Sequence, residues 1–78
     1  SSYRSWAAAL SDEFKSLQRD AFRGRRSLLD HYGATNPAEF FAVATETFFE
    51  KPERMRKNHS ELFEVLKSYY RADPSEWQ

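Results

Sequence analysis

The chain has no cysteine, which excludes a disulfide framework and a thiolate metal site and favours a reducing, cytoplasmic setting. Glycine occurs twice and proline three times, too rarely for a hairpin-rich fold, and no segment shows the alternation of a half-buried strand. Charge of one sign is also missing, because twelve basic residues are matched by twelve acidic ones. No overall field therefore draws the chain to nucleic acid or to an anionic membrane. No apolar run approaches the roughly 20 residues that span a bilayer, and the N-terminus carries no signal-peptide pattern.

What is present is a small helical domain with a heavy aromatic load. The 78 residues, 17% of them aromatic, make one domain, and a chain of this size buries only about 60% of the surface its unfolded form exposes. It opens at "SSYRSW", without methionine and already in a helical pattern, as expected of a piece of a longer protein.

Periodicity outlines the elements. Tyr3, Trp6, Leu10, Phe14, Leu17 and Ala21 recur at spacings of three and four and predict a helix over about 3–22. Ser2 can cap it, Gly24 stops it, and Ser11 offers a possible second cap with a kink near "LSDEF". "GRRS" is a basic loop, and "LLDHYG" is one apolar turn within about 27–32, ended by Gly33. "ATN" reads as extended, since Asn36 precedes a proline. A helix over about 36–51 follows, with Asn36 as N-cap, Pro37 at the first position and Glu39 at the third. "PERMRKN" reads as a charged turn, and a last helix over about 60–71 buries Leu62, Phe63, Val65, Leu66, Tyr69 and Tyr70. The expected class is all-α, a small antiparallel helical cluster.

Glu39 has two readings. Asn-Pro-Ala-Glu fits a capping box, in which the carboxylate reaches back to the N-cap amide; the alternative is a metal ligand or an acid/base group. Glu39, Glu46 and Glu50 lie on one helical face. Glu39 and Glu46, however, start about 10 Å apart along the axis, so the two do not share one metal. Glu39 as ligand with Glu46 in support fits the spacing better.

The stretch "YGATNPAEFFAVATETFFEKP", with "LFEVLKSYYRADP" and the upstream "LSDEF" and "LLDHYG", resembles the C-terminal part of the Mlc titration factor A family of zinc-dependent peptidases. Its core is also similar to the zinc-protease domain of anthrax lethal factor. The resemblance implies the C-terminal helical subdomain of a gluzincin-like enzyme. In such a site two histidines of an HExxH helix and a later glutamate bind zinc, and the HExxH glutamate is general base. It places Glu39 as the third zinc ligand, Tyr32 as the hydroxyl that stabilises the developing oxyanion, and Glu46 and Asn36 in support. HExxH itself is absent: His31 and His59 are 28 positions apart and neither begins such a motif. That helix is expected upstream of Ser1, so the 78 residues alone are expected to carry no zinc and to be inactive. Implied partners are the HExxH half of the same protein, a peptide substrate and a transcriptional repressor resembling Mlc.

Other features read as ordinary surface. His31 is expected in an exposed loop and His59 in a charged, solvated turn. "RDAFRGRR" gathers four arginines around Phe22, but nearby acids dilute it as a phosphate patch. Trp77, with Tyr69 and Tyr70, is expected to pack. Phe40–Phe41 and Phe48–Phe49 project about 100° apart in each pair. The isolated chain is therefore expected to show an apolar patch and to self-associate or be poorly stable. A second function class stays open: a helical interaction module in which Glu39 is only a cap.

Overall fold

Four α-helices and two 3₁₀ turns make up the computed structural model, which describes residues 2–76, with side chains from Trp6 onward. The described residues contain no strand; the protein is a small all-α cluster. Ser2 as a cap, Tyr3 and Trp77 lie outside the described side chains.

Helix α1 spans Ser2–Arg23 and runs unbroken past Ser11. Gly24 ends it as expected: its φ is 66°, and the Arg25 N–H returns to the Asp20 carbonyl at 2.9 Å, the closing bond of a left-handed cap. The buried residues of α1 are Ala9 and Leu17, with Leu10 and Phe14 packed against the core. Helix α2 spans Pro37–Glu50 and starts as expected, with the Asn36 side chain accepting the Glu39 N–H at 2.9 Å.

"PERMRKN" is not a turn but a third helix, α3, Pro52–Asn58. Pro52 sits at its start, Arg56 and Lys57 complement its C-terminal dipole, and Met55 is completely buried. Seven residues do not sustain a helix alone, so the buried Met55, a tertiary contact, decides the conformation. Helix α4, Ser60–Tyr70, buries Leu62, Phe63, Val65 and Leu66. Tyr69 departs from expectation: it lies at the surface, edge-on to Phe41 and Trp6 at 5.5 and 6.2 Å. Tyr70 is half-buried and shares a 2.9 Å hydrogen bond between its hydroxyl and Thr45 Oγ1, tying α4 to α2.

The core gathers Leu17, Leu29, Phe40, Phe48, Met55 and Phe63 from every helix and from the 25–30 segment. The molecule is 19 Å across its thin direction, about two helix diameters. With two layers only, each helix keeps a face at the surface. The phenylalanine pairs divide accordingly: Phe40 and Phe48 enter the core, whereas Phe41 is half-buried and Phe49 remains 38% exposed.

His59 also departs from the solvated expectation. It lies between α3 and α4, and its Nδ1–H donates to the Glu13 carboxylate on α1 at 3.0 Å. That hydrogen bond raises its pKa above 6.5; burial opposes the shift, and the charges of Glu13 and Asp20 add to it. The stabilisation is therefore complete below the unfolded pKa of 6.5 and is lost as pH rises through the elevated folded value. A half-buried charge-assisted bond of this kind contributes about 1–2 kcal/mol. Urea midpoints are expected to fall from pH 6 to pH 9 in the wild-type protein and to fall less in Glu13→Gln. Equal slopes for the two proteins would contradict the pairing.

Candidate functional site

The connection from α1 to α2 carries the residues singled out by the sequence. After the basic loop the chain forms a 3₁₀ turn over His31–Ala34, not a turn closed by Gly33, and only Asn36 of "ATN" is extended (φ −163°, ψ 168°). Thr35 has helical angles, because its N–H and hydroxyl both bond the Tyr32 carbonyl, at 3.2 and 2.7 Å. Asp30 caps the front of the turn, its carboxylate accepting the Tyr32 N–H at 2.8 Å. The Gly33 N–H donates to the Asp30 carbonyl at 2.9 Å.

Packing positions this turn. It lies against both α1 and α2, and Gly33 is buried at the contact. A Cβ at Gly33 would stand 3.1 Å from Leu17 Cδ2 and 3.1 Å from Val43 Cβ. Only a residue without a side chain lets the turn come this close.

Around that contact the motif residues separate by task. Asp30, Thr35 and Asn36 spend their side-chain oxygens on backbone N–H and C=O groups of the connection. Tyr32 instead turns outward, 60% exposed. Glu39 is half-buried at the first turn of α2. The capping box expected there is only half formed: Asn36 caps Glu39, but among the described residues no hydrogen bond returns from the Asn36 N–H to the Glu39 carboxylate. The phenol sits on this short, internally bonded connection and the carboxylate on the first turn of α2 that it starts, and the local caps engage neither.

Glu46 is exposed, two turns further along α2, and lines a groove of about 340 Å³ with Asp30, Glu50 and Lys51. Among the described residues no three His, Asp or Glu side chains gather closely enough to hold a metal ion. Glu39 can be one donor to such a centre, and further ligands must come from other residues. His31 is exposed, as expected, and its Nε2–H donates to the Arg25 carbonyl at 2.8 Å. Asp30 and Thr35 were missed as positioning residues. An Asp two places before Tyr32 and a Thr three places after it were the available signals for local capping.

A family model described as glucose-regulated metallo-peptidase M90 matches residues 1–71. An uncharacterised protein of Synechocystis sp. is 43% identical over 72 residues, 92% of this chain and 26% of that protein. Mlc titration factor A of Pectobacterium atrosepticum is 35% identical over 66 residues, 85% of this chain and 23% of its own length. That of Edwardsiella ictaluri is 34% identical over 71 residues, 88% and 27% respectively. The chain therefore spans about a quarter of the length of these relatives. No solved structure matches it at a significant level.

The Gly33 contact yields a stability test. Gly33→Ala is expected to cost about 1–3 kcal/mol through overpacking, because Val43 Cβ is fixed to the α2 backbone and cannot move aside. The measurement is the urea midpoint, and an unchanged midpoint would mean the turn can retreat from α2 freely.

Proposed function

The chain belongs to the glucose-regulated metallo-peptidase M90 family, and from that membership we propose that it contributes Glu39 and Tyr32 to the site of a zinc-dependent peptidase. The observation that carries the reading is the division of labour in the α1–α2 connection. Asp30, Thr35 and Asn36 are engaged in local caps, while the Glu39 carboxylate and the Tyr32 phenol are kept clear of them.

Glu39 meets the requirement of zinc for a carboxylate oxygen. The other ligands, the two histidines of an HExxH helix, are assigned to the remainder of the longer protein, upstream of Ser1. When bound there, zinc supplies Lewis-acid polarisation and activation of water. Tyr32 supplies a hydroxyl donor toward the carbonyl oxygen of a peptide, where it strengthens as negative charge develops. The caps from Asp30 and Thr35 hold its backbone in place. Asn36 fixes the start of α2 and hence the place of Glu39. Glu46, on the same face, has a supporting role through charge rather than coordination. By this reading the 78 residues alone hold no zinc and hydrolyse nothing.

A second reading, a helical interaction module, draws on surface rings such as Phe22, 82% exposed, and Tyr69. It also draws on the name of the relatives, Mlc titration factor A, which suggests binding of a repressor resembling Mlc. It requires neither Glu39 nor Tyr32.

In the full-length protein, Glu39→Gln is expected to abolish zinc retention, measured by elemental analysis after dialysis, together with peptide hydrolysis. Retained zinc at an unchanged rate would remove Glu39 from the site. Tyr32→Phe is expected to lower kcat by about 10²–10³ with metal content intact. Loss of zinc in step with activity would make the tyrosine structural.

A further inference from the structure

A cleft of about 790 Å³ opens between the 26–31 segment and α3, separate from the start of α2. Arg26 stands on one wall, Arg54 and Asn58 on another, and His59 lines it as well. Two acids share this lining and keep their charge there, and neither pairs with Arg26 or Arg54. Asp20 pairs with Arg25 at 3.3 Å, and Asp30 accepts the Tyr32 N–H at 2.8 Å. Glu13, beside the cleft, takes the Nδ1–H of His59 at 3.0 Å.

The bases are not engaged in the same way. Among the described residues neither Arg26 nor Arg54 has a carboxylate within ion-pair distance. Asn58 donates one N–H to the Arg54 carbonyl at 3.1 Å, which leaves its other N–H. Leu28 and the buried Leu29 supply an apolar part of the wall, and such a wall lowers the local dielectric and strengthens charge recognition. Two guanidinium forks and an amide around a partly apolar cleft are the donor types that recognise an oxyanion.

We propose that this cleft binds a ligand through a small oxyanion, a phosphate or a carboxylate group, held between Arg26 and Arg54 with Asn58 as a third donor. The site does not depend on the assignment of Glu39 or Tyr32. His31 lines the same cleft next to Tyr32, so an occupant would lie beside the 3₁₀ turn. A phosphate preference would indicate a phosphorylated small-molecule effector, and a carboxylate preference the C-terminal group of a peptide.

The test is titration of inorganic phosphate, and separately acetate, into isotope-labelled protein at constant ionic strength, with chloride as control. The side-chain resonances of Asn58, His59 and the arginine Nε–H groups are followed. Saturable shifts with either oxyanion, absent with chloride and at least tenfold weaker in both Arg26→Met and Arg54→Met, are expected; the stronger ligand identifies the class. Both arginines are exposed, so these changes are expected to leave the fold intact, which helical circular dichroism checks. Shifts that grow linearly with concentration, that chloride reproduces, or that persist in both variants would overturn the proposal.

Discussion

The close approach of Gly33 to Leu17 and Val43 is the contact on which the rest of the site depends. It lets a 3₁₀ turn settle against α1 and α2 together, at 3.1 Å from side-chain carbons of both helices to where a Cβ would stand. From that anchor, Asp30 and Thr35 close the turn, Asn36 starts α2, and Tyr32 and Glu39 are delivered on either side. Tyr32 and the start of α2 are thus held by the connection's own local hydrogen bonds. In a molecule two helices thick few other places offer such support.

Much of this was legible because it rests on local rules. Gly24 as a helix stop and Asn36-Pro37 as a helix start follow from backbone chemistry within four residues, and both are found. The stripes of α1 and α4 follow from periodicity, and they place Leu17, Leu62, Phe63 and Leu66 in the core. What was not legible rests on distant partners. Met55 turns "PERMRKN" into a helix by entering a core made by other segments. Glu13 and His59 are 46 positions apart, and nothing local to either announces the pair. Tyr69 falls on the expected apolar side of α4, but it meets α1 and α2 only edge-on through Trp6 and Phe41, and its ring stays at the surface.

The site shows the same division. The cap at Asn36 and a first-turn carboxylate at Glu39 are compatible. The cap is made by Asn36, and the first-turn carboxylate of Glu39 has no hydrogen bond or ion pair among the described residues. Among its described residues the chain gathers no three His, Asp or Glu side chains that could hold a metal ion, and it spans about a quarter of the length of its relatives.

The most direct measurement is X-ray absorption at the zinc edge of the full-length protein, compared with the Glu39→Gln variant, which loses zinc on dialysis, measured undialysed with one equivalent of zinc added. The account predicts two imidazole nitrogens and a carboxylate oxygen at about 2.0–2.2 Å in the wild-type protein, with the carboxylate contribution lost in the variant. Identical coordination shells in the two proteins would contradict it.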